Sequence, residues 1–95
     1  MKAAYMFLSS KRDGWKDRVN MPGTDMWMIG VKDLAQACEV AKALQEDGFK
    51  QIELCGGFRE EGCRAVMEAT GNTMSVNYAV HLPENDEAYR KLFSK

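Results

Sequence analysis

An amphipathic segment between two short apolar runs limits the fold more than any other feature of the sequence. Its apolar residues recur at helical spacing: Leu34, Ala37, Cys38, Ala41 and Leu44. Asp33 precedes them, in position to cap a helix with Gln36 as its reciprocal partner, and Gly48 suits the left-handed residue that ends one. We therefore predict a helix between Asp33 and Gly48, with polar residues such as Gln36 facing solvent.

Short strand-like runs alternate with helical patterns along the chain. The strands are predicted at residues 3–8, 26–31, 51–55 and 74–80, and further helices at 59–70 and after Asn85. This alternation predicts an α/β fold with a small, four-stranded, mainly parallel sheet and about three helices, in the order β-loop-β-α-β-α-β-α. Residues 9–25 are expected to form a long loop, and the pairing of the first strand is left open.

Length and charge narrow the classes of protein to which the chain can belong. We expect its 95 residues to form a single α/β domain, 1–95, and a chain this short gains stability from association, so a homo-oligomer is expected. Thirteen basic and 14 acidic residues give a formal charge of −1, which argues against nucleic-acid binding. No apolar stretch suits a membrane span or a signal peptide, so we expect a cytoplasmic protein without membrane association.

Three cysteines, Cys38, Cys55 and Cys63, accompany one histidine, and no CxxC motif occurs. An odd number of cysteines in this pattern is typical of reduced thiols in a reducing compartment. The same pattern offers no zinc ligand set, and we predict neither a metal site nor a cofactor.

The twin glycines Gly56 and Gly57 form the sharpest local motif. They lie between a predicted strand and a predicted helix, where a tight turn and free helix amides suit an anion, and Arg59 is placed to contact a phosphate or carboxylate. The alternative is that the glycines only make the turn, because Glu60 and Glu61 already complement the helix dipole and would repel a phosphate. The candidate ligand-binding residues are Gly56, Gly57, Phe58, Arg59 and Asn77.

Three residues are candidates for catalysis: Glu53, Cys55 and His81. Cys55 precedes the helix start, where a thiol pKa is readily lowered, and His81 ends the fourth strand, where it is a possible base for that thiol. Glu53 is either an acid/base group or a partnered, exposed or subunit-bridging structural carboxylate. The alternative for Cys55 and His81 is a small buried thiol and a partly solvated histidine. Strand parity groups Glu53 with Cys55, and Asn77 with His81, but does not say whether both pairs share one face.

The run Ile52-Glu53-Leu54-Cys55-Gly56-Gly57-Phe58, preceded by Asp47-Gly48-Phe49, resembles an uncharacterised family of short prokaryotic α/β proteins of unknown function. The resemblance extends from Val31 to His81 and implies no activity. The turn with two glycines also resembles one βα unit of a (β/α) barrel, where such turns often hold phosphates.

Three functional hypotheses follow. The first is a small-molecule or anion-binding module, with its site at the turn Gly56–Arg59 under the loop Ser10–Asp25. The second is a small lyase- or isomerase-type enzyme acting on a carbonyl or phosphorylated metabolite through Glu53, Cys55 or His81. The third is a structural or interaction subunit of a homo-oligomer. Whether the protein is an enzyme stays open at this point.

Overall fold

The computed structural model describes residues 1–93. Its strands are β1 (Ala3–Leu8), β2 (Arg18–Asn20), β3 (Met26–Val31), β4 (Gln51–Leu54) and β5 (Ser75–Tyr78). Its helices are α1 (Leu34–Glu46), α2 (Arg59–Ala69) and α3 (Asp86–Phe93), and two 3-10 turns cover Gly56–Phe58 and Pro83–Asn85. The mixed α/β class and the three helices that the sequence predicts are confirmed.

The sheet has five strands in the order β2-β3-β1-β4-β5, so the prediction of four strands is wrong. The additional strand, β2, lies within the predicted loop and pairs antiparallel with β3, while all other neighbours are parallel. Strand β2 has only three residues, of which Val19 alone is apolar, so its sequence shows no alternation of apolar and polar residues. It is a strand because its backbone pairs with β3.

The first strand lies at the centre of the sheet. Tyr5 is in register with Met28 of β3 on one side and with Glu53 of β4 on the other. Because β1, β3, β4 and β5 are parallel, their carboxyl ends meet along one edge of the sheet. That edge is where ligands usually bind in α/β sheets.

One face of the sheet carries the hydrophobic core. Side chains of alternate strand residues, including Met6, Ile29 and Leu54, are fully buried there against α1 and α2. The two helices contribute Val40 and Val66 to the same cluster. Both helices therefore cover this face, which we call the core face.

The opposite face, which we call the open face, is lined by the other set of alternate residues. Tyr5, Met28, Val19, Glu53 and Asn77 form one row across it, as the strand register requires. Met28 is 52% exposed and Val19 69% exposed. The open face thus has an apolar half on β2 and β3 and a polar half on β4 and β5.

Helix α1 begins as predicted, because Asp33 accepts a hydrogen bond from the Gln36 backbone N–H at 2.8 Å. The predicted solvent-facing position of Gln36 is wrong, since this side chain is buried. Its Oε1 accepts hydrogen bonds from the backbone N–H groups of Gly14 at 2.8 Å and Lys32 at 2.9 Å, and its Nε2 donates to Asp13. Gln36 therefore holds the turn after β1 against the start of α1.

Leu34, predicted on the inner face of α1, is 39% exposed, because it opens the helix beyond the edge of the core. Within residues 1–93, no helix is both long enough and apolar enough to cross a membrane.

Substitution Gln36→Leu is expected to lower the free energy of unfolding by about 1–3 kcal/mol, the cost of leaving buried backbone donors without acceptors. Urea denaturation followed by circular dichroism measures the change. Lys42→Ala, on the exposed side of the same helix, serves as the control and is expected to change the stability by less than about 0.5 kcal/mol. Equal effects of the two substitutions would show that Gln36 does not hold the turn.

Candidate functional site

A cavity of about 380 Å³ opens at the carboxyl edge of the strands, between the sheet and α3. Strand and bend residues form one wall: Tyr5, Leu8, Cys55, Gly56 and Gly57. The segment after β5 and helix α3 form the other: Ala79, Val80, His81, Tyr89 and Phe93. Four candidate residues that lie apart in the sequence, Cys55, Gly56, Gly57 and His81, therefore line one cavity.

Strand register explains why Cys55 and His81 line the same cavity. Glu53 is level with Asn77 on the neighbouring strand, and the Ala79 backbone N–H donates to the Leu54 carbonyl at 2.9 Å. Cys55 and Ala79 therefore follow on the open-face side of β4 and β5. His81 lies two residues beyond Ala79 and lines the same cavity. The pair Glu53 and Cys55 therefore lies on the same side of the sheet as the pair Asn77 and His81, which strand parity alone does not decide.

The twin-glycine bend is a 3-10 turn whose tight packing explains Gly56. A methyl group on Gly56 would lie 3.3 Å from the Ala79 carbonyl oxygen and 3.5 Å from the Tyr89 hydroxyl. Gly57 has more room, because a methyl group there would lie 3.7 Å from the Cys55 sulfur. Gly56 thus allows the bend to approach the chain after β5 and α3 closely.

The remaining residues of the predicted anion site lie elsewhere. Phe58 is 5% exposed and packs in the hydrophobic core, so its side chain does not reach the cavity. Arg59 adopts a positive φ of 59° at the start of α2, and its exposed side chain does not line the cavity. Glu60 and Glu61 occupy the first turn of α2, as the alternative interpretation of the motif requires.

His81 is held in place by two residues. Its Nε2 lies 3.0 Å from Asp86 Oδ1, and because a carboxylate only accepts, the imidazole nitrogen is the donor. The ring also stacks on Tyr89, with centroids 4.2 Å apart and planes inclined by 17°. The hydrogen bond from His81 lowers the pKa of Asp86, and the charge of Arg90 acts in the same direction. One ring nitrogen of His81, Nδ1, is left outside this hydrogen bond.

Glu53 lies next to the cavity rather than in its wall. Its Oε1 accepts hydrogen bonds from Gln51 Nε2 at 2.7 Å and from Asn77 Nδ2 at 3.1 Å. Asn77 therefore contacts Glu53 on the polar half of the open face and does not line the cavity. Among residues 1–93, Glu53 makes no ion pair.

The three cysteines are unpaired and differ in their surroundings. Burial raises the pKa of the Cys38 and Cys63 thiols. Cys55 is partly exposed in the cavity wall, and burial together with the nearby Cys55 raises the pKa of Tyr5. Of the three thiols, Cys55 is the one that lines the cavity.

The sequence does not single out the other residues of the site, which are Asp86 beside His81 and, in the cavity wall, Tyr5, Leu8, Ala79, Val80, Tyr89 and Phe93. Tyr5 enters it because β1 is central, a position that its own apolar run does not reveal. Asp86 and Tyr89 lie five and eight residues after His81, beyond a short 3-10 turn. Because they are three residues apart on α3, they lie on the same side of that helix, and this spacing is a signal that the sequence contains. In the part of the chain that the structure describes, no three His, Cys, Asp or Glu side chains lie together as metal ligands.

Comparison with known proteins gives one match. A family model with the description "Family of unknown function (DUF6506)" matches residues 1–94, a longer stretch than the resemblance seen from Val31 to His81. No curated protein and no solved structure matches the chain.

The contact between His81 and Asp86 has a pH signature. A lowered pKa means that the contact stabilises the fold above the ordinary carboxyl pKa and that this contribution is lost as the pH falls through the lowered value. Carbon-13 NMR titration is expected to show the Asp86 carboxyl titrating below the ordinary range, and His81→Ala is expected to return it towards that range. Glu87→Gln, which removes a neighbouring carboxylate on α3, is the control. An Asp86 midpoint unchanged by His81→Ala would contradict the assignment.

Proposed function

The chain belongs to this family of unknown function, DUF6506, and we propose that it is a binding module for a small molecule held in the cavity at the carboxyl edge of the sheet. One observation carries the proposal: the strand register places Cys55, the twin-glycine bend and His81 around a single opening. Ligands of α/β sheets bind at this edge, in concave sites with a few polar groups in an otherwise apolar wall.

The wall of the cavity favours an uncharged, planar ligand. Tyr89, Phe93 and Tyr5 supply aromatic surface, while the hydroxyl groups of the two tyrosines and the free nitrogen of His81 supply hydrogen bonds. His81 is the one basic side chain among the lining residues that the structure describes, and Asp86 already pairs with it. A ring with a carbonyl or amide group therefore suits the wall better than the phosphate that the twin glycines suggest.

Benzamide serves as a probe of this chemistry and inorganic phosphate as the comparison. In heteronuclear NMR titrations, benzamide is expected to shift the amide signals of Cys55, Gly57 and His81, while phosphate at the same concentration leaves them in place. Uniform small shifts over the whole chain, or no shifts, would contradict a benzamide site. Phosphate shifts confined to Gly56–Arg59 would favour the anion site instead.

A pair of matched variants locates the site. Ala79→Leu fills the cavity wall and is expected to weaken benzamide binding by at least about tenfold, since a pocket that loses its volume loses the contacts of the ligand. Ala88→Leu, on α3 outside the lining, is the control and is expected to leave the affinity unchanged. Equal affinities of both variants would place the binding elsewhere.

The position of Cys55 favours a second candidate function, covalent chemistry on a bound carbonyl compound. Cys55 and His81 line the same cavity, Asp86 orients His81, and a thiol with an oriented histidine is the pair of residues from which a nucleophile and its base are built. A free thiol in this role needs reducing conditions such as those of the cytoplasm, the location that we propose for the chain.

Thiol labelling tests this second candidate. At pH 7.5, iodoacetamide is expected to modify Cys55 before Cys38 and Cys63, because burial raises the pKa of the latter two and reduces their thiolate fraction. Mass spectrometry of tryptic peptides over time measures the order. His81→Ala is expected to slow the labelling of Cys55 and to leave that of Cys38 unchanged. Labelling of Cys55 at the same rate in both proteins would exclude His81 as its base.

We also propose that the chain self-associates. A 95-residue chain has a small core, and in this fold α1 and α2 cover only one face of the sheet. Association of two copies removes the apolar half of the open face from water.

A further inference from the structure

We infer that the open face is the contact surface between two copies of this chain, with Met28 near its centre. The inference rests on the proposed self-association, to which it assigns a surface and an orientation. It concerns a different part of the open face from the cavity, with which it shares Tyr5.

The parallel sheet is the first reason. Parallel strands occur almost only in sheets that are covered on both faces, because the connections between them place helices there. Here α1 and α2 both cover the core face, and Met26 and Met28 on the open face are 47% and 52% exposed. Val19 on β2 and Met21 after it continue this apolar surface. Residues 1–93 of a single copy therefore supply no covering layer for these side chains.

The size of the face is the second reason. Five strands about 4.8 Å apart make a face roughly 19 Å wide, which is about 20 Å long at the six-residue strands β1 and β3 and about 10–13 Å long at the other three. Protruding side chains raise its accessible area above the projected value, towards the ~800 Å² per partner that a standard stable interface buries. The face thus supplies a large part of the area that a dimer of standard size needs.

Charge supplies the orientation. Glu53, on the polar half, has no cation of its own chain among residues 1–93 within ion-pair distance. Lys16, beside Val19 and Met28 at the opposite side of the face, is likewise outside any ion pair of that part of the chain. Lys16 and Glu53 lie at opposite sides of one surface. When a second copy faces this surface with its sides exchanged, each Lys16 lies opposite the other copy's Glu53, and the charges are complementary.

One arrangement both covers the apolar side chains and brings the opposite charges together. A two-fold axis along the strands, between β3 and β1, places Met28 of one copy over Tyr5 of the other and β2 of one copy over β4 of the other. Apolar side chains then meet at the centre, and Lys16 of each copy approaches Glu53 of the other. An axis across the strands would instead bring the two Glu53 side chains together, which repulsion between like charges opposes.

Sedimentation velocity over a range of protein concentrations tests the surface. The unmodified chain is expected to form a dimer, and Met28→Glu is expected to weaken the dimer at least tenfold, because it buries a carboxylate near the other copy's Glu53. Met67→Glu, at an exposed methionine of α2 on the other side of the molecule, is the control and is expected to leave the dimer unchanged. Thermal unfolding of both variants checks that each is folded.

The outcomes separate the surface from self-association itself. A dimer that Met28→Glu leaves intact would overturn this surface while the proposed self-association stands. A chain that stays monomeric at all concentrations would overturn both, and would leave the face to a different protein or to a small molecule. Benzamide binding is measured separately on the monomer, because Tyr5 belongs both to the cavity wall and to the proposed contact surface.

A charge exchange tests the orientation. Glu53→Lys is expected to weaken the dimer by placing two cations together, and adding Lys16→Glu in the same chain is expected to restore most of the lost affinity. Failure of the double variant to recover any affinity would overturn the two-fold arrangement along the strands.

Discussion

Parallel pairing of β1 with a strand on each side is the constraint on which the rest of the structure depends. Because Tyr5 is in register with both Met28 and Glu53, the two halves of the chain are joined into one sheet through its first strand. The register also determines which side chains share a face. Met6 and the residues level with it on the adjacent strands lie in the core, while Tyr5 and the residues level with it form the open face. The bend after β4 and the segment after β5 then meet at one edge.

The open face contains both proposed surfaces, the small-molecule cavity and the contact between two copies, in different parts. At its carboxyl end α3 lies over the sheet, where Tyr89 and His81 form a cavity wall opposite Cys55. Away from that end nothing in residues 1–93 covers Met26 and Met28. The first region is a cavity with polar groups in its wall, for which we propose a small molecule. The other region contains a cavity of about 460 Å³ with Val19, Met26 and Met28 in its wall, and for this apolar surface we propose a second copy.

The sequence predicts the elements better than their arrangement. Helix α1 and its cap at Asp33 follow from local spacing, and strand parity correctly groups Glu53 with Cys55 on one side of β4. Gln36 was placed in solvent because periodicity treats every polar residue as exposed, whereas its amide is buried in hydrogen bonds to the turn after β1. For the site, Cys55 and His81 were identified from their positions at strand ends. That both line one cavity depends on the register between β4 and β5, which no local pattern encodes.

Solvent exposure of methionine methyl groups tests the two-faced sheet most directly. With methyl-labelled methionine and a soluble paramagnetic agent, at a dilution where sedimentation shows a monomer, the signals of Met26 and Met28 are expected to broaden strongly. The signal of Met6, on the adjacent central strand and fully buried, is expected to stay sharp. Equal protection of all three methyl groups in the monomer would contradict the account, because it would mean that the chain itself covers both faces.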